Sequence, residues 1–321
     1  MQAILYYFQE FFQGISKPFL VACTLLAAVL VVVNDRWGIE PKWLANLQPR
    51  ALRFVGFYIL YLIAFGLPWL FYLLWVKPAA YSHWLLAFVL LAPAVFALKV
   101  SAGGWGDWIR HTVSGKGGRY LAIIADWPLR LVITVGLLFV LHRLFAGGWP
   151  LPGVNAHSGR FSTDLGLTTE HFSAVTYLLL LAAMVPLVAF AASQPAFLHT
   201  YPKVKILAFL APEGPRRWQQ LLYEMAYGLD FLGIELFFRG FLVVLLCRWV
   251  GPAAILPMAV FYCSVHFGKP LLECISSYFG GIILGVIACY SQSILGGILV
   301  HLGLAWMMEA AAFISSYFYT N

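Results

Sequence analysis

The sequence predicts an all-α fold, a polytopic transmembrane helical bundle of about nine spans. Three observations lead there: 62% of the 321 residues are hydrophobic, 10% are charged, and the mean hydropathy is +0.84. Soluble domains carry about 25% charged residues, so most of this chain has lipid as its solvent. Apolar runs of about 17–25 residues, the length a helix needs to cross a bilayer, recur from one end to the other.

In chain order, residues 1–16 are aromatic and amphipathic and read as an interfacial helix. They carry no early basic run and no small-residue cleavage site, so they do not read as a removable signal peptide. Spans follow at 18–33, 54–76, 84–100, 121–145 and 174–193, then at 219–250, 253–267, 271–290 and 293–318. The 253–267 run is short and carries Pro257, and 121–145 is interrupted by Asp126, Pro128 and Arg130. The domain reading is an interfacial helix over 1–16, N-terminal spans with two long loops over 17–215, and a core over 216–321 that holds the last four spans. The loop 101–119 is Gly-rich and basic. The loop 147–173 is long enough to act as a lid or a docking surface, and reads first as a plain connection.

Sorting Lys and Arg onto alternate sides puts thirteen on one side and five on the other, with Arg130 and Arg239 inside spans. The richer side is expected to be cytoplasmic, which leaves the N-terminus outside and the C-terminus in the cytoplasm. The net charge of +7 and pI of 9.2 then have a topological cause, and no nucleic-acid partner is expected. P-loop, GxSxG and GxGxxG patterns are absent. The five cysteines all fall in apolar runs without a CxxC, and read as packing residues instead of a disulfide framework.

Polar residues are unevenly spread. Five of the thirteen acidic residues, Glu224, Asp230, Glu235, Glu273 and Glu309, fall in the last four spans, together with His266 and His301. A charge at the centre of a spanning helix costs roughly 2.5–3.5 kcal/mol even on the mildest scale. Such residues therefore need partners, a wet cavity or a chemical task. Glu235 and Arg239, four apart, share a helix face and can pair. Taken alone, that pair reads equally well as a structural ion pair. Gly280, Gly281 and Gly285, and Gly296 and Gly297 one turn before His301, let helix backbones approach closely around these groups.

The stretches ELFFRG at 235–240, Tyr262-x-x-x-His266, HFGKPLLE at 266–273, GGIILG at 280–285 and SILGGILVH at 293–301 resemble the CPBP family. This is the family of type 2 CAAX prenyl proteases and bacteriocin-processing enzymes, also called Abi. Its pattern is Glu-Glu-x-x-x-Arg, Phe-x-x-x-His and His-x-x-x-Asn on successive helices, and the resemblance spans about 219–310. It implies an intramembrane endopeptidase acting on a membrane-anchored peptide or protein. By position, Glu235, Arg239, His266 and His301 match the second Glu, the Arg, the first His and the last His. Ile234 stands for the first Glu, Ala305 for the Asn, and Tyr262 for the Phe. The resemblance implies that Glu235 and His266 activate water, Arg239 holds the carboxylate and His301 faces the carbonyl. Asp230, four residues before Ile234 on nearly the same face, is the residue placed to stand in for the missing acid. The departures at Ile234 and Ala305 leave a non-catalytic, partner-binding relative in a membrane complex as the alternative. A transporter reading has the same acids but no repeat pair. No cofactor is expected. A divalent metal at Glu235, His266, His301 and Glu273 lacks a close ligand pair and is opposed by Arg239.

Overall fold

A computed structural model describes residues 2–76, 83–146, 160–170 and 172–320. The structure is 86% helical, with no strand among the described residues. The helices are α1 (Gln2–Gly14), α2 (Lys17–Trp37), α3 (Arg50–Trp75), α4 (His83–Ser101), α5 (Trp105–Thr112), α6 (Gly115–Ala146) and α7 (Phe161–Asp164). After these come α8 (Ala174–Ala192), α9 (Pro195–Thr200), α10 (Arg217–Glu235), α11 (Leu246–Val250), α12 (Ile255–Ser264), α13 (Leu271–Ser291) and α14 (Leu295–Thr320). Seven helical stretches among the described residues are long and apolar enough to cross a membrane. The protein is a polytopic helical membrane protein.

The two further spans expected at 219–250 and 253–267 are helical but are not single long apolar helices. The first is α10, a π-helical stretch Leu236–Leu245 and the short α11; the second is the ten-residue α12. Charge in α10 and the brevity of α12 keep both below the composition of an ordinary span. In the opposite sense, the interruption expected at Asp126, Pro128 and Arg130 does not occur, because α6 runs on through it. Arg130 pairs with Asp126 at 2.8 Å one turn away, so the two charges cancel on one helix face.

The chain divides into two compact units, Met1–Ala102 with Thr134–Phe172 and Glu235–Gly297, and Gly103–Ile133 with Ser173–Ile234 and Ile298–Asn321. In the first unit α12 is buried along its whole length and packs against α2, α3 and α13. Small residues set that spacing: a Cβ on Gly281 would lie 3.2 Å from the Ala259 Cα, and one on Gly285 2.7 Å from the Met258 Cε. Gly280, the other candidate for the close approach, has nothing within 4 Å of its Cβ position. Rings of Tyr61, Phe65, Phe96, Phe237 and Phe238 surround Phe261 at centroid distances of 5.1–6.0 Å.

One end of this unit is closed by polar contacts. Buried Asp164 lies 3.0 Å from His142 Nε2 and accepts from Arg248 Nη1 at 2.9 Å. Ile294 N–H donates to the Gly166 carbonyl, and Ser293 Oγ–H to that of Thr168. The described part of the long second loop is thus packed down. Residues 147–159 and 171, on which the lid or docking reading also falls, lie outside the described residues. Cys247 and Cys289 form a disulfide, contrary to the expectation of five packing thiols. They are 42 residues apart, and only the packing of α13 beside the π-helical stretch that leads into α11 brings their Cα atoms to 6.0 Å.

The second unit has a cluster of Tyr120, Val204, Leu207 and Tyr223 and another of Ala192, Phe197, Tyr201 and Ala312. Buried Glu309 has a structural task there. Its carboxylate accepts from the backbone N–H groups of Lys203 and Val204 at 2.7 and 3.3 Å, capping the 3-10 segment Lys203–Leu210.

Candidate functional site

Glu235 is the last residue of α10, and the chain continues from it as the π-helix. π-Helical hydrogen bonds run from i to i+5, and such segments are rare and cluster at functional positions. All ten residues of this one are buried. The expected pairing is present: Arg239 Nη1 lies 3.0 Å from Glu235 Oε1, with both side chains fully buried. The guanidinium also lies 4.0 Å over the ring of Tyr262, a cation–π contact made stronger by exclusion of water. Tyr262 in turn meets Phe238 edge-on at 5.1 Å and His266 at 4.7 Å. A continuous stack therefore runs from Glu235 through Arg239 and Tyr262 to His266. Tyr262, where the family has Phe, is a working member of it.

His266 is half-buried in the turn after α12, and its Nδ1 is 2.9 Å from the carbonyl of Tyr262. A carbonyl can only accept, so Nδ1 carries the proton in this bond. In the neutral ring the lone pair then belongs to Nε2, which makes Nε2 the basic nitrogen.

The turn itself is clamped from a distant part of the chain. Buried Asn34, at the end of α2, donates from Nδ2 to the Phe267 carbonyl at 2.9 Å and accepts from the Glu40 N–H at 2.9 Å. The Glu40 carboxylate rests on Gly268, where a Cβ would come within 2.6 Å of Oε2. Burial pushes the Glu40 carboxyl above the usual carboxylate range. Beyond the turn, Lys269 pairs with Glu273 at 3.1 Å. Asn34 and Glu40 had no signal in the sequence, since 233 residues separate Asn34 from its partner.

Gly297 also acquires a reason. A Cβ there would fall 2.4 Å from Glu235 Oε2, so the first turn of α14 passes directly over the carboxylate. Of the five expected site residues, Glu235, Arg239 and His266 fall in the first unit. Asp230 and His301 fall in the second, where both are half-buried and the His301 ring packs on Phe231 at 4.7 Å. Among the described residues no three His, Cys, Asp or Glu side chains gather as a metal-binding set.

Residues 216–307 match the family described as type II CAAX prenyl endopeptidase Rce1-like. This part of the chain is similar to the CPBP family. The CPBP match includes Asp230, Glu235, Arg239, His266 and His301, and ends two residues short of the structural acid Glu309. It covers under a third of the chain. Comparison with curated proteins and with solved structures gave no significant match. The match likens residues 216–307, and not the rest of the chain, to CAAX protease-like membrane peptidases.

Proposed function

We propose that the protein is an intramembrane endopeptidase that cleaves a membrane-anchored peptide or protein. In this reading Glu235, with His266 Nε2 as the second base, takes a proton from a water that attacks the peptide carbonyl. Arg239 holds the carboxylate in one orientation. The observation that carries the proposal is the fully buried Glu235–Arg239 pair where α10 passes into the π-helix, within the family-matched residues. Replacing a buried ion pair by apolar residues is often neutral or stabilising. Stability alone therefore gives little reason to keep this one.

The test is cleavage of a panel of membrane-anchored peptides in liposomes, comparing wild type with Glu235→Ala and His266→Ala. Loss of cleavage in each folded variant is expected. The second reading, a non-catalytic partner-binding relative, is supported by Ile234 and Ala305. No cleavage of any peptide by the wild type, with a membrane partner still bound, would decide for it.

The basic loops are read as cytoplasmic. The disulfide supports that orientation, since Cys247 and Cys289 sit at the span ends assigned to the outside, where disulfides persist.

A further inference from the structure

The second unit contains a groove of about 590 Å³, within the range of small-molecule sites. One wall is an i, i+3, i+4, i+7 stripe on α6 from Leu121 to Pro128, and the other is the same stripe on α10 from Leu222 to Leu229. The apolar face of α5 closes it with Trp108 and Ile109. α5 is fastened there: the Trp105 indole N–H donates to Asp126 Oδ1 at 2.9 Å, and Arg130 holds the other carboxylate oxygen at 2.8 Å.

The groove is apolar, but one end has a basic rim. Lys116 and Arg119 lie between the lining residues Val113 and Leu121, and Arg216 and Arg217 stand at the start of α10, little more than a turn before its first lining residue Leu222; all four are exposed. Lys116 Nζ donates to the Ala211 carbonyl, and the Arg119 guanidinium lies 4.1 Å over the Phe209 ring, which holds both in place. Glu213 is the exposed carboxylate beside them, and Asp107 is paired with Arg110 at 2.6 Å. Trp218, whose ring meets Tyr120 at 6.0 Å, is 54% exposed near the same end, as indole rings are at the level of lipid headgroups.

We propose that this groove binds one anionic phospholipid, with an acyl chain between α6 and α10 and the phosphate among Lys116, Arg119, Arg216 and Arg217. A neutral lipid would fill the apolar walls equally well but gains nothing from the rim. The charge therefore selects the occupant. The proposal is independent of the peptidase reading.

The test reconstitutes the protein with phosphatidylcholine and phosphatidylglycerol in equal amounts, re-extracts it in mild detergent and measures the retained lipids by mass spectrometry. Phosphatidylglycerol is expected to be enriched on the wild type. In the surface variant Lys116→Ala/Arg217→Ala the enrichment should fall on the order of tenfold. Ala125→Phe/Ala226→Phe, which fills the groove behind an intact rim, should abolish it. An unchanged bilayer ratio on the wild type, or enrichment that survives the rim variant, would overturn the proposal. So would co-purification of a lipidated peptide, or dimerisation through this face, with phosphatidylglycerol at its bilayer ratio.

Discussion

Gly297→Ala perturbs the candidate site by one methyl group without touching a titratable residue. The new Cβ would lie 2.4 Å from Glu235 Oε2, whereas ordinary contact begins at 3.4 Å, so the carboxylate must retreat by about 1 Å. The far end of a surface glutamate would simply swing away. Here the carboxylate is fully buried and its other oxygen is 3.0 Å from Arg239, so the pair must lengthen or the first turn of α14 must shift. Overpacking of this kind costs about 1–3 kcal/mol, and a 1 Å error in a reacting group costs about 10²-fold in rate. Gly280→Ala is the control, since nothing lies within 4 Å of its Cβ position on α13. It should be neutral or stabilising by up to about 1 kcal/mol, by helix propensity. The assays are thermal unfolding in detergent, which needs no substrate, and peptide cleavage in liposomes. If Gly297→Ala melts and cleaves as the wild type does, α14 does not cover the Glu235 carboxylate, and the geometry argued above is wrong.

Arg239→Ala leaves the Glu235 carboxylate buried without its counter-charge and should destabilise by about 3–5 kcal/mol; Glu235→Leu/Arg239→Met should recover most of the loss in the same melting experiment. Alkylation of the unfolded, unreduced protein should label three cysteines, Cys23, Cys263 and Cys274, and five after reduction. Cys247→Ser/Cys289→Ser, which opens a 42-residue loop, should cost up to about 4 kcal/mol. Because burial raises the Glu40 carboxyl, the folded state holds its proton more tightly than the unfolded chain does. Its stabilising contribution is complete below the ordinary glutamate range and is lost as pH rises through the folded value. Glu40→Gln should therefore melt close to wild type in acid and increasingly above it toward neutral pH; a constant gap would refute the burial argument. A green fluorescent protein fused after Asn321 should fluoresce if the C-terminus is cytoplasmic, and a dark fusion of normal abundance would reverse the orientation.

The fold class and most of the spans were legible because lipid is an unforgiving solvent. A backbone with no water to bond must form helices, and the side chains facing lipid must be apolar over a fixed length. The same rule made the polar residues of the last spans conspicuous, and with them the pairing of Glu235 and Arg239, which depends only on a four-residue spacing. Other features depend on which surfaces meet. The sequence could flag Glu309 as a buried acid but not that its carboxylate caps Lys203 and Val204, 106 and 105 residues away. It could note a Gly pattern but not that Gly281 and Gly285 seat α12 while Gly280 faces open space. Asn34 and Glu40 looked like ordinary residues at a span end, and Cys247 and Cys289 like packing thiols. Local periodicity and hydropathy determined the elements and the chemistry they carry. The clamp on the His266 turn, the disulfide and the glycine over Glu235 arise from distant backbones meeting within a few ångströms, and only the tertiary structure decided them.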